Sequence, residues 1–124
     1  MASTARFDVV AIGNAIVDVL ARADDALIES EKLIKGSMRL IDAEEATRLY
    51  AAMGPAVEMS GGSAANTLAG MAALGRRCGF IGQVAKDQLG QVFTHDLTSL
   101  GVAFDTPAQD GGAPTARCLI LVTP

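Results

Sequence analysis

One short segment constrains this chain more than any other: Ser60-Gly61-Gly62-Ser63-Ala64-Ala65-Asn66 joins the apolar run Ala56-Val57-Glu58-Met59 to a small-residue helical pattern over 67–75. A glycine pair at a strand-to-helix corner lets backbone N–H groups come close to a ligand, with the positive end of a helix dipole behind them. Tight turns without a ligand also use glycine in this way. The corner gains meaning from a second polar pair set in apolar sequence, Gly13-Asn14-Ala15-Ile16-Val17-Asp18.

A chain of 124 residues, half of them hydrophobic, suffices for one modest domain with a real core. Aromatic residues make up only 4%, so the elements must pack closely through Ala, Gly, Val, Leu and Ile, as layered α/β folds do. The net charge of −4 repels phosphate backbones and anionic headgroups, and Arg76-Arg77 is an isolated basic pair. Nucleic acid and membrane surfaces are therefore poor candidate partners. Cys78 and Cys118 fit no metal or redox spacing and read as free, buried thiols in a reducing compartment, with a disulfide left open. Asn14 and Asp18 interrupt the apolar N-terminal stretch, so it does not read as a signal sequence. No run is long enough to span a bilayer, and the expected location is the cytoplasm.

Phe7 to Ile12 predicts a strand covered on both faces, ended by Gly13, and Asp18 to Ala23 a more exposed one. Residues 24–36 predict a short helix or turn region, and Met38-Arg39-Leu40-Ile41 a short strand. Asp42-Ala43-Glu44-Glu45 has the form of a capping box, after which Ala46, Leu49, Tyr50 and Met53 recur at helical spacing until Gly54-Pro55. A helix near 63–75, a buried strand over 78–82 and a helix from Asp87, with Leu89, Val92, Phe93, Leu97 and Leu100 on one stripe, complete the alternation. Strand, helix and strand in turn imply a parallel sheet flanked by helices. The segments 102–106 and 116–122, separated by the turn-rich 107–114, predict a hairpin arm. An apolar strand running to Pro124 leaves a ladder edge in need of a partner, which predicts that the chain is a fragment.

Taken together, these motifs resemble the N-terminal part of a ribokinase-like, PfkB-type carbohydrate or nucleoside kinase. The likeness rests on the opening strand into Gly13-Asn14, on Asp18 four residues later, on Gly61-Gly62 with Asn66, and on Gly82-Gln83-Val84-Ala85-Lys86-Asp87-Gln88-Leu89-Gly90. The spacing of Asn14 and Asp18 is similar to that of the adenosine kinase branch, as is the aliphatic Leu68 two places after Asn66. Ala85 departs from the glycine usual there, and its methyl group would restrict positive φ in the local turn.

The resemblance implies an α/β fold, a parallel sheet with flanking helices and a small β-sheet lid formed by segments near 15–42 and 102–120. It implies phosphorylation of a sugar or nucleoside hydroxyl with ATP and Mg²⁺, adenosine or another ribonucleoside ahead of ribose, other furanoses and fructose derivatives. Asp18 would accept hydrogen bonds from sugar hydroxyls, Asn66 and Asn14 would line the same pocket, and Gly61-Gly62 would admit the ribose edge. Met38 and Cys118 would contribute a wall beneath a base or aglycone. The family's catalytic aspartate lies in a late Gly-Ala-Gly-Asp motif, and its magnesium-associated Asn-x-x-Glu element follows further on; neither occurs in these residues, so no catalytic or metal-ligating residue is assigned.

Competing readings are weaker. A dinucleotide-binding unit lacks its Gly-x-Gly-x-x-Gly around Gly13. A non-catalytic ligand-binding module, or a homodimer paired through lid strands, stays open as the alternative. His95 has no partner spacing for metal or nucleophile chemistry and reads as a solvated helix residue, and Asp87 reads as a helix N-cap.

Overall fold

The structure, a computed structural model, describes residues 4–124. Among these, the elements in chain order are β1 (Val9–Ile12), β2 (Ile16–Arg22), α1 (Asp25–Ser30), α2 (Ala43–Ala52), β3 (Ala56–Gly61), α3 (Ser63–Ala73), β4 (Cys78–Ile81), α4 (Gln88–Ser99), β5 (Val102–Ala103) and β6 (Ala116–Val122). The strands form two sheets. One is parallel, in the order β1-β4-β5, and the other has the order β3-β2-β6, with β2 antiparallel to β3 and parallel to β6. This is the α/β layering expected from the alternation of patterns.

Helix α4 joins the two sheets, packing on β2, β3 and β5, and α3 covers β1 and β4. The α4 stripe of Leu89, Phe93 and Leu97 is buried, with Phe93 and Leu97 wholly inaccessible. Three of the four phenylalanines meet there: the rings of Phe80, Phe93 and Phe104 lie 5.4–5.6 Å apart in tilted and edge-on contacts. A chain poor in aromatics thus concentrates them at the junction, where each ring buries the most apolar area.

The local signals hold where they are local. Asp42 accepts a hydrogen bond from the Glu45 amide at 2.7 Å, but the Glu45 carboxylate turns to Arg39, so only half of the capping box forms. Asp24 caps α1 in the same way, and Asp87 accepts from the Gly90 amide at the start of α4. Ala85 escapes the expected restriction, because its backbone is not left-handed; Lys32, at φ 53°, is the one non-glycine with positive φ among the described residues.

Long-range expectations fare worse. The predicted hairpin is absent: β5 lies beside β4 and β6 beside β2, because Val102 and Phe104 are drawn into the core and leave the turn-rich segment to cross between sheets. Met38 to Ile41 forms no strand, since no neighbouring strand offers it a ladder, and Leu40 stands 89% exposed. β1 is covered on one face only: Val9 and Ala11 pack on the core while Ile12 is 77% exposed. β2 is the better buried of the two, with Val17 and Val19 at its centre fully inaccessible. Cys78 is buried as expected, whereas Cys118 is exposed, and both thiols are free. No helix among the described residues is long and apolar enough to cross a membrane.

Candidate functional site

β2 is the central strand of its sheet, and alternation decides what its two faces carry. Val17, Val19 and Ala21 point into the core, so Ile16, Asp18 and Leu20 occupy the outer face. The register sets Asp18 opposite Met59 on β3 and Cys118 on β6, placing all three in one row across the sheet. The row on one side is Gly61, Ile16 and Ala116, and on the other Val57, Leu20 and Ile120. A single carboxylate therefore stands in the middle of an open, otherwise apolar surface.

The Asp18 carboxylate accepts no hydrogen bond from any described residue, although it is half-buried. Its place is made by a missing side chain: a Cβ on Gly61 would lie 2.5 Å from the carboxylate carbon and from both of its oxygens. Gly62 serves the corner differently. At φ +90° it adopts a conformation that favours glycine, and a Cβ there would come within 2.9 Å of the Asn14 carbonyl oxygen. No side chain caps α3 behind it. The Asn66 amide donates to the Gly62 carbonyl at 2.9 Å, and the Asn66 side chain is exposed in the first turn. Gly13 lies so close to α3 that an added Cβ would be 2.7 Å from that of Ala64. Asn14 is thereby held beside the turn that carries Asn66.

Five of the residues singled out in the sequence, Asn14, Asp18, Gly61, Gly62 and Asn66, thus come together around one corner. Cys118 joins them directly across the strand from Asp18. Partial desolvation by the sheet, and then the negative charge of Asp18, push its thiol above the ordinary value. Met38 takes part in no strand pairing and stands 80% exposed in the segment between α1 and α2. A shallow cleft of about 310 Å³ opens next to this corner, lined by Asn14 and Ile16 on one side and by Val84, Gln109 and Thr115 on the other. It takes in Asn14 but not Asp18, which stands on the adjoining sheet face.

Met59, Val57, Leu20 and Ile120 were missed as site neighbours by sequence reasoning. Only the pairing register reveals which residues of β3 and β6 share the face of Asp18. Asp96 was also missed: its Oδ2 accepts from the Ser60 amide at 2.9 Å and pins β3 just before the glycine pair. His95 is exposed, as expected. Among the described residues no three His, Cys, Asp or Glu side chains converge.

Comparison with known proteins supplies the context for this geometry. The sequence pattern of the family described as "pfkB family carbohydrate kinase" matches residues 7–124. The structure resembles adenosine kinase from Sinorhizobium meliloti, with a TM-score of 0.83 and 57% identity over 96% of this chain and 36% of that one. It resembles a probable sugar kinase from Rhizobium etli equally well, with a TM-score of 0.83 and 50% identity over 97% of this chain and 36% of that one. Among curated proteins, 5-dehydro-2-deoxygluconokinase of Lacticaseibacillus casei is 33% identical over 105 residues, 85% of this chain and 26% of the relative. The chain therefore spans about a quarter of that relative and just over a third of the two solved structures.

Proposed function

The chain belongs to the pfkB carbohydrate kinase family, and from that premise we propose that it supplies the acceptor-binding half of an ATP-dependent phosphotransferase acting on a hydroxyl of a sugar or nucleoside. The observation that carries this reading is the partnerless Asp18 carboxylate seated over the bare backbone of Gly61. With no protein donor and with solvent access, both of its oxygens are free to accept hydrogen bonds from a ligand in place of water. Two vicinal hydroxyls supply such bonds, donating to its two oxygens.

In this reading the β3-β2-β6 sheet is a lid whose outer face receives the acceptor. Gly61 and Gly62 let the furanose edge approach the backbone, and Asn14 and Asn66 offer amide donors and acceptors from the corner. The apolar rows beside Asp18 suit the flat face of a base, which favours a ribonucleoside, adenosine first, over a free furanose. The adenosine kinase name of the 57%-identical structure agrees with that order. When bound, ATP would supply the phosphoryl group, with Mg²⁺ offsetting its charge. This chain's residues bind the acceptor and fix the direction of its free hydroxyl, a contribution that is large because phosphoryl transfer depends mainly on positioning.

The test uses the complete gene product with ATP and Mg²⁺ against a panel of nucleosides and sugars. Phosphorylation of adenosine or a related ribonucleoside is expected. Asp18→Ala should weaken transition-state binding by roughly 2–4 kcal/mol, since hydrogen bonds to a charged group contribute about 1.5–3 kcal/mol each. An unchanged kcat/KM in that variant would remove Asp18 from the site and the reading with it.

A further inference from the structure

β6 carries one flank of the proposed acceptor site, yet it reaches the sheet through a loose approach. After Phe104 the chain crosses between sheets, and just before β6 it passes through Gly111 and Gly112, both exposed and left-handed at φ +74° and +83°. Two such residues give the strand entry little stiffness of its own. β6 is also an edge strand, hydrogen-bonded to β2 on one side only.

The chain is caught again at Thr115, the one buried polar residue among the described residues. Asp87 Oδ2 accepts from the Thr115 amide at 2.9 Å, and Asp87 Oδ1 accepts from the Thr115 hydroxyl at 2.7 Å. The same Oδ1 accepts from the Gly90 amide at 2.8 Å, and the Thr115 hydroxyl accepts in turn from the Ala85 amide at 2.9 Å. An N-cap needs only the bond to Gly90. The two bonds from Asp87 to Thr115 run instead to the strand entry and tie it to α4, whose Leu89, Phe93 and Leu97 are fixed in the core. Burial raises the Asp87 pKa, but the bonds from Thr115 and Gly90 outweigh it and hold the carboxyl below its ordinary value. Close packing at this point leaves little slack, for a Cβ on Gly90 would be 2.1 Å from the Ala85 carbonyl oxygen.

We infer that Asp87 and Thr115 form a latch that seats β6 against β2 and so holds Ala116 and Cys118 beside Ile16 and Asp18, which makes both latch members positioning residues for the acceptor. The inference rests on the reading of the outer sheet face as the acceptor site. Both residues act through the strand that begins just after Thr115. Small displacements of a binding face are expensive because orientation is what such a face supplies.

Thr115→Val removes the hydroxyl at nearly constant shape, Thr115→Ser keeps it, and Asp87→Asn keeps the α4 cap while presenting an amide N–H2 to the Thr115 N–H. In the complete gene product, Thr115→Val and Asp87→Asn should lower amide-exchange protection of residues 116–122 about tenfold, the factor that one lost hydrogen bond to a charged group is worth. Protection of β4 should stay as in the wild type. kcat/KM for the acceptor should fall, through kcat as well as KM, and Thr115→Ser should restore both the kinetics and the protection. Wild-type protection of β6 in Thr115→Val, or equal loss in β4, would overturn the latch. Altered β6 protection with unchanged kcat/KM would overturn its positioning role. If the wild type phosphorylates no sugar or nucleoside, it is the reading of the face that fails, and the exchange measurement still decides the latch.

Discussion

The parallel sheet β1-β4-β5 and the mixed sheet β3-β2-β6 share α4, yet they treat polar groups in opposite ways. Around β4 the rings of Phe80, Phe93 and Phe104 interlock, and the charged residue at the entry to β1, Asp8, is fully engaged by the Arg77 side chain and backbone. On the outer face of β2 a carboxylate stands without a donor among exposed apolar side chains such as Val57 and Met59. The first arrangement is what stability selects, with area buried and polar groups paired. The second leaves both unfinished, and a bound ligand would complete it. On the proposed reading of the β2 face, substitutions in the two regions should read out differently.

The largest effect is expected in the aromatic junction. Phe93→Ala should cost about 3–5 kcal/mol of unfolding free energy, because it empties a fully buried site shared by two other rings. Urea unfolding measures this, and a loss under about 1 kcal/mol would mean that the junction is not the common core of the two sheets. Gly61→Ala comes next. The added methyl group would meet the Asp18 carboxylate at 2.5 Å, so the carboxylate must swing aside. Acceptor affinity should fall by roughly 1.5–3 kcal/mol, the worth of a hydrogen bond to a charged group, with a smaller loss of stability. The reverse pattern, a stability loss with acceptor affinity intact, would break the contrast between the sheets.

The smallest effect tests the satisfied side. Hydrogen bonds from the Arg77 side chain and then its backbone amide lower the Asp8 carboxyl from 3.8 to about 2. Its contribution is fully present above the ordinary value and is lost as pH falls from there through about 2. Asp8→Asn should therefore flatten the pH dependence of the thermal midpoint across that window and leave the acceptor site untouched. A slope unchanged from the wild type would show that the pair is not coupled to folding.

Much of this was legible in the residues. The caps at Asp42 and Asp87, the apolar stripe of α4 and the glycine corner at Gly61-Gly62 are local patterns, written within a few residues of where they act. The spacing of Asp18 from Asn14 was legible too, but not the residues that flank it on β3 and β6. The hairpin of 102–122 was not legible, because two strand-like segments around a turn look alike whether they pair with each other or with strands far back in the chain. Met38 to Ile41 failed for a related reason: an apolar run becomes a strand only if a neighbour offers it a ladder.

Sequence alone therefore determined most of the elements and their order, though not the fate of Met38 to Ile41, and the small set of polar groups set into apolar surroundings. The tertiary structure decided which strands pair, which face of β2 is open, and that Met59 and Cys118 flank Asp18. The physical reason is that caps, glycine corners and period-two alternation act between near neighbours in the chain, whereas register and sheet membership are set by competition among surfaces tens of residues apart, and packing around α4 settles that competition.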